Sequence, residues 1–302
     1  MDIKSMLKSC SLCPRKCHAD RYKGHGLCGG GQRARLALVS IHPWEEPVIA
    51  GEKGAGTVFF SGCSLKCVYC QNHEISHDNG GIEVSEQRLG EIFLEQQARG
   101  ASVLELVTPS HYIIPIIEGL IFAKKKGFCL PVVYNTSGYE SLSALELIKD
   151  YVDVFMPDLK YFSPDASERY SGARDYFDVA SEALRRMFEL AGPLVEKDGI
   201  LQRGMIVRHL VLPGLRKDSM KLIDWLWSEF GDDIYLSLMN QYTPMHRSAD
   251  YPEINRRLTT FEYDSVVNYA YDAGFRKSFI QDRRAASEEY VPDWTGDGVE
   301  NY

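Results

Sequence analysis

The sequence predicts an α/β protein, a partial (β/α)6 TIM-type barrel with a small N-terminal metal-binding extension. Three observations carry this. From residue 57 onward, short apolar runs with a β-forming composition alternate with helical stretches, the pattern of buried parallel strands covered by helices on both faces. Six such repeats can be counted, where a complete barrel needs eight. Residues 1–35 are polar, cysteine-rich and glycine-rich, with little hydrophobic periodicity, so they need a staple in place of a core.

Taken in order, residues 36–41 read as a short strand, and residues 43–56, with Pro-Trp-Glu-Glu-Pro and several glycines, as loop. The barrel strands are expected at Thr57–Phe60, Val103–Val107, Pro131–Tyr134, Val152–Met156, Met205–Val211 and Ile234–Met239. Helices are expected at about 85–99, 112–126, 141–150, 178–191 and 218–230. Beyond them, Phe275–Ile280 barely supplies one more strand, and Asp293–Gly298 reads as loop. The expected division is a cysteine-rich extension over residues 1–40 and the barrel over 41–302.

Composition narrows the function. The 302 residues are 44% hydrophobic and 25% charged, ordinary for a globular protein. A net charge of −8 opposes chain-wide attraction to nucleic acid or an anionic membrane, although a local basic patch would still admit RNA. There is no run of 18 apolar residues, and the N-terminus lacks the apolar stretch of a signal peptide, so a cytoplasmic protein with no membrane partner is expected. Seven of the eight cysteines fall within the first 70 residues. In a reducing compartment that clustering points to metal rather than disulfides. Cys129, between Phe128 and Leu130, is expected as a buried small hydrophobe.

Cys63, Cys67 and Cys70 follow Cys-x3-Cys-x2-Cys directly after the first barrel strand. A [4Fe-4S] cluster takes four thiolates, so three leave one iron open to a substrate or cofactor. The loop also leaves the strand end at which barrel enzymes place their chemistry. A zinc knuckle that borrows His73 is the alternative. With Tyr69 before the last cysteine, the loop closely resembles the signature of the radical SAM superfamily, in which S-adenosylmethionine (SAM) chelates the open iron and is cleaved reductively to a 5′-deoxyadenosyl radical. Residues 10–282 further resemble homologues of pyruvate formate-lyase activating enzyme that carry an extra N-terminal cysteine segment. The resembling strings are Cys-Ser-Leu-Cys-Pro-Arg-Lys-Cys (10–17), Val-Thr-Pro-Ser-His-Tyr (107–112), Tyr-Asn-Thr-Ser-Gly-Tyr (134–139), Met-Pro-Asp-Leu-Lys-Tyr (156–161) and Val-Arg-His-Leu-Val-Leu-Pro-Gly (207–214).

The resemblance implies a SAM site built from Tyr69, Thr108, Ser110, Asn135, Thr136, Ser137, Asp158, Lys160 and Arg208. The superfamily's Gly-Gly-Glu-like stretch, which holds the SAM amino group, is replaced here by Thr108-Pro109-Ser110-His111. Thr108 and Ser110 are then the groups to accept that hydrogen bond. His111 is either an acid/base group or a polar residue at a helix start. By the same resemblance, Asn135, Thr136, Met156 and Asp158 surround a monovalent cation, while Lys160 and Arg208, the catalytic candidates, contact the SAM carboxylate or position substrate. The competing roles are a helix cap for Asn135 and an ion pair between Asp158 and Lys160 or Arg208. Asp158 and Lys160 are expected on opposite faces, and His209 is expected to face away from Arg208. Asn240, Gln241 and Tyr242 end the sixth strand, with Tyr242 expected in aromatic packing.

Cys10, Cys13, Cys17 and Cys28 follow Cys-x2-Cys-x3-Cys-x10-Cys. They suit either a closed zinc site, in which His18 or His25 can replace a cysteine, or a second, fully ligated [4Fe-4S] cluster. The expected function is radical-based modification of a small molecule, peptide or RNA. The first alternative is an activase that installs a glycyl radical on a partner enzyme. A non-catalytic metal-binding regulator explains the cysteines but not the polar strand ends. With no flavin or nicotinamide motif present, the electron is expected from a flavodoxin or ferredoxin.

Overall fold

The structure, a computed structural model, describes residues 3–78, 80–281 and 293–300. Its strands are β1 (Ala34–His42), β2 (Ala55–Phe60), β3 (Ile82–Val84), β4 (Leu104–Val107), β5 (Val132–Thr136), β6 (Val154–Pro157), β7 (Val195–Lys197), β8 (Ile200–Leu210), β9 (Tyr235–Met239) and β10 (Ser278–Ile280). Its helices are α1 (Pro47–Ala50), α2 (His73–Ser76), α3 (Glu86–Ala98), α4 (Ile113–Lys125), α5 (Leu142–Ile148), α6 (Pro164–Ser171), α7 (Tyr176–Ala191), α8 (Arg216–Phe230) and α9 (Thr260–Ala273).

The parallel strands β2, β4, β5, β6, β8, β9 and β10 lie side by side in chain order. That unreversed order is the winding of a barrel, not of a doubly wound sheet. β10 ends one edge, and antiparallel β1 and β3 extend the other beyond β2, so the sheet is open. The six expected strands are present, and short β10 makes a seventh. β3, β7, α2, α6 and α9 match no element expected from the sequence, and α1 lies within its expected loop. No helix among the described residues is long and apolar enough to cross a membrane.

Alternation along the strands sorts side chains between two environments. Leu104, Leu106, Val132, Tyr134, Phe155, Val207, Leu236 and Leu238 pack outward into the large core beneath the helices. Ala55, Val103, Val133, Val154 and Ile206 meet inside the barrel as an apolar floor. Above that floor the interior turns polar, with Glu105, Asn135 and Arg208 joined in one network. Ser85, Ser141, Ser163 and Thr259 cap α3, α5, α6 and α9, each accepting a backbone N–H.

The N-terminal segment docks on the rim from which α4 and α5 start. Leu7, Cys10 and Leu12 pack against Ile114, and Ser141 Oγ donates to the Leu12 carbonyl at 2.9 Å. Cys129 is exposed, contrary to expectation: Phe128 takes the buried position, and the backbone N–H of Cys129 is held by Gln97. The stretch after Asp293 is loop and covers β1, where the backbone N–H groups of Val39 and Gly296 reach the carbonyls of Asp297 and Ala37 at 3.0 Å each.

Gly138, just past β5, has φ +77°, and a Cβ there would collide with the Asp158 carbonyl oxygen. Glycine alone tolerates both constraints without strain. Gly138→Ala is expected to lower unfolding free energy by about 2 kcal/mol or more in urea titration, while a small effect would mean that the ends of β5 and β6 can move apart.

Candidate active site

The loop after β2 carries Cys63, Cys67 and Cys70, none of them in a disulfide. Each sulfur accepts or shares one hydrogen bond. Leu65 N–H reaches Cys63 Sγ at 3.4 Å, Ser171 Oγ reaches Cys67 Sγ at 3.0 Å, and Ser76 Oγ lies 3.3 Å from Cys70 Sγ. Burial pushes the Cys67 and Cys70 thiols up, Cys70 to about 12, while the Lys160 ammonium favours the Cys67 thiolate. Thiols raised in this way give up their protons when a cation binds them. Three hydrogen-bonded sulfurs on one strand-end loop, Cys67 buried and Cys63 and Cys70 half-buried, fit three ligands to an iron–sulfur cluster.

Beside the loop lies a cavity of about 330 Å³. Phe59, Val107, Asn135, Arg208 and Met239 line it from the strand ends; Gln71, Asn72, Trp44, Glu45 and Glu46 are on its other walls. Of the residues expected to hold SAM, Asn135 and Arg208 are on this wall. Arg208 is deeply engaged: Nε donates to Asp158 at 3.0 Å, Nη1 to Glu45 at 3.1 Å and Nη2 to Asn135 at 2.7 Å. Lys160 pairs with the other Asp158 oxygen at 2.6 Å. Asp158 and Lys160 therefore share a face, as residues two apart on an extended chain do, and the expectation of opposite faces fails. His209 faces away from Arg208, between the Leu159 carbonyl and Ser219.

The other expected residues are distributed around this network. Asn135 does not cap α5; it donates to Glu105 at 2.6 Å. Thr136, its neighbour, points to the opposite side, where it and Ser110 both donate to Glu140. Met156 joins the apolar floor. Asn135, Thr136, Met156 and Asp158 thus do not converge on one point, and Arg208 bridges Asn135 and Asp158. Thr108 follows β4 directly, with φ +59°. The Ser137 carbonyl accepts from Tyr176, whose hydroxyl also ties Asp158 to Lys160 across the backbone. Tyr69 packs against Tyr161 and Tyr242 and shares a 2.6 Å hydrogen bond with the Tyr161 hydroxyl, rather than facing the cavity. His111 is buried and bonded to the Ser61 carbonyl at 2.7 Å, and burial lowers its pKa to about 3, so it is neutral. His73 stacks on His246. Among the described residues, no three His, Cys, Asp or Glu side chains meet around a point at the spacing of a single ion. Cluster ligands each bind a different iron and need no such point.

Four acids at the site are not among the residues expected from the sequence. Glu45 and Glu46 come from the expected loop, Glu105 from the middle of an apolar strand and Glu140 from the turn before α5. Only Glu105 carried a signal: a charge at an inward position of a buried strand needs a partner. Burial, then the neighbouring Glu105, raises Glu45 to about 8; burial, then Glu45, raises Glu46 to about 7. Burial also raises Glu105. Asp158 behaves oppositely: burial opposes its charge, but Lys160 and Arg208 hold its pKa below the ordinary value.

The sequence model of the radical SAM superfamily matches residues 57–226, more than half of the chain. This chain belongs to the radical SAM superfamily. Among its relatives is an uncharacterized protein of Methanocaldococcus jannaschii, 29% identical over 279 residues that cover 88% of this chain and 75% of the relative. The pyruvate formate-lyase-activating enzyme of Clostridium pasteurianum is 24% identical over 189 residues, covering 60% of this chain and 71% of the relative. Among solved structures, SuiB of Streptococcus suis bound to S-adenosylmethionine superposes with a TM-score of 0.52 at 13% identity, covering 77% of this chain and 51% of that one. The radical SAM chain described here therefore spans about half of SuiB's length, and the likeness shows a shared fold. The family brings with it a [4Fe-4S] cluster and SAM.

Two measurements probe the charge network. Asp158→Asn leaves two buried cations poorly compensated and is expected to cost about 3 kcal/mol in denaturant unfolding; a cost below about 1 kcal/mol would mean that the cations are solvated. Glu46 is raised in the folded state, so its stabilising contribution is full below its unfolded pKa and fades as pH rises through about 7. The unfolding temperature of Glu46→Gln should therefore gain on wild type as pH rises from about 4.5 to about 7 and level off above that. A constant difference would contradict the shift.

Proposed function

We propose that Cys63, Cys67 and Cys70 hold a [4Fe-4S] cluster whose open iron takes SAM, supplying on one-electron reduction a radical that removes hydrogen from a substrate in the adjoining cavity. The observation that carries this reading is the placement of the three hydrogen-bonded thiols at the end of β2, beside the cavity. Leu65 and Ser171 direct hydrogen-bond donors at Cys63 and Cys67 and so favour their thiolate forms, and Ser76 Oγ shares a hydrogen bond with Cys70. Lys160 adds positive charge next to Cys67.

Asn135 and Arg208 present amide and guanidinium groups to the cavity, and we assign them to orienting the polar end of SAM. Lys160 and Asp158 act behind them by fixing the guanidinium. Thr108, Ser110, Thr136 and Ser137 form the supporting layer at the ends of β4 and β5. Phe59, Val107 and Met239 supply apolar wall that excludes water.

A cavity of about 330 Å³ is within the range of ligand pockets, and we assign it to SAM together with the reacting part of a small molecule or a short peptide segment. A glycyl-radical activase needs a groove that admits a loop of a folded partner. The likeness to the Clostridium pasteurianum enzyme keeps that as the second reading. The electron comes from a flavodoxin or ferredoxin.

The test is anaerobic incubation of reconstituted protein with SAM and dithionite, scoring 5′-deoxyadenosine. Wild type should form it, and a Cys63→Ala/Cys67→Ala/Cys70→Ala variant should not. Equal yields from both would overturn the reading.

A further inference from the structure

The N-terminal cysteines are joined directly to the loop that carries Cys63. The backbone N–H of Cys63 donates to the carbonyl of Cys28 at 3.0 Å. Arg15, between Cys13 and Cys17, makes a second junction: it donates to the carbonyls of Ser64 at 3.0 Å, Gly172 at 2.6 Å and Ser171 at 3.1 Å. Ser171 in turn bonds Cys67 Sγ. Two separate bridges therefore tie the first cysteine set to the second.

The thiols of Cys17 and Cys28 flank the same glycine. A Cβ on Gly26 would stand 3.3 Å from Cys17 Sγ and 3.4 Å from Cys28 Sγ. Cys10 and Cys13 are within electrostatic reach of Cys28. Cys28 Sγ also accepts the N–H of Gly30 at 3.4 Å.

Arg21 indicates what charge this site holds. Its side chain is 2% exposed. Its partners are the carbonyls of Gly30 and His111, with Cys10 Sγ at 3.9 Å. The buried Nη2 has no hydrogen-bond partner. A buried guanidinium without a counter-charge is strongly disfavoured. Four thiolates around a metal centre leave a net negative charge beside it, which completes the balance.

We propose that Cys10, Cys13, Cys17 and Cys28 ligate a second [4Fe-4S] cluster, closed to substrate, that passes one electron to the cluster at Cys63, Cys67 and Cys70. This relay rests on the reading of those three cysteines given above. A zinc ion would serve as a staple anywhere on the rim, whereas electron transfer weakens steeply with distance and needs the junction observed here. From sulfur to sulfur the path crosses Cys28, one hydrogen bond and Cys63. In the step itself, a reduced flavodoxin or ferredoxin loses one electron to the second cluster, which goes from the 2+ to the 1+ state. That electron then reduces the first cluster from 2+ to 1+, and the second returns to 2+. No proton or atom moves.

The test uses the full chain, isolated anaerobically, with metals quantified and EPR recorded after reduction. Wild type should hold about eight iron atoms and no stoichiometric zinc, and the variant lacking Cys63, Cys67 and Cys70 about four, retained as a [4Fe-4S] cluster. A Cys13→Ser/Cys17→Ser variant should hold about four at the other site. Reduced wild type should show spin–spin broadening between two paramagnetic clusters, absent from both variants. Zinc without iron in the variant lacking Cys63, Cys67 and Cys70 would overturn the proposal, as would two clusters with no spin–spin interaction. If the Cys13→Ser/Cys17→Ser protein does not fold, the other variant still decides the metal. Failure of the catalytic reading is distinguishable: it would appear as a wild type whose iron is confined to the N-terminal site.

Discussion

The ion pair between Arg208 and Asp158 is the constraint around which the upper barrel is arranged. Two cations, Arg208 and Lys160, stand at the strand ends and share the Asp158 carboxylate. Charges this buried persist only when paired and hydrogen-bonded. Asn135 and Glu45 satisfy the remaining guanidinium edges, and Glu105 in turn holds Asn135. β4, β5, β6, β8 and the loop after β1 are thereby locked together at the level where the cavity opens. Burial and then their acidic neighbours raise Glu45 and Glu46, while Lys160 and Arg208 hold Asp158 low against its burial. The same cations act outward, since Lys160 favours the thiolate of Cys67.

The parts of the fold readable in the sequence were those set by local periodicity. Runs such as Val103–Val107 and Ile234–Met239 are apolar because both faces of a parallel strand are covered, and the expected barrel strands fall within a residue or two of those observed except β8, which starts five residues earlier, at Ile200, where it pairs with β7. α9 was not read because its buried face mixes Tyr263, Val266 and Ala270 with Glu262, which blurs the helical stripe. β10 has three residues, too few to show a period. In the site, the three cysteines were legible because their spacing is local. The ion pairs of Asp158 with Lys160 and Arg208 were among the expected alternatives, but Glu45 as a partner of Arg208 was not, because it lies 163 residues away in sequence and nothing near it signals burial. Thr136 and Asn135 were grouped as neighbours, but strand alternation sends them to different networks.

The N-terminal segment shows how a stretch without a core of its own becomes ordered. It contributes Leu7, Cys10 and Leu12 to a small apolar contact with Ile114, then commits Arg15 and Arg21 to backbone carbonyls on other parts of the chain. Those arginines fix it beside the cysteine loop rather than elsewhere on the rim. Position, charge and chemistry at the two cysteine sets are therefore linked: each depends on residues that the other holds in place.

The most direct test of the radical SAM site is a crystal structure of the anaerobically reconstituted protein with SAM. A cluster on Cys63, Cys67 and Cys70, with SAM on the fourth iron and its polar end toward Asn135 and Arg208, is the expected result. A cluster closed by a fourth protein ligand, or SAM bound away from this cavity, would contradict the account.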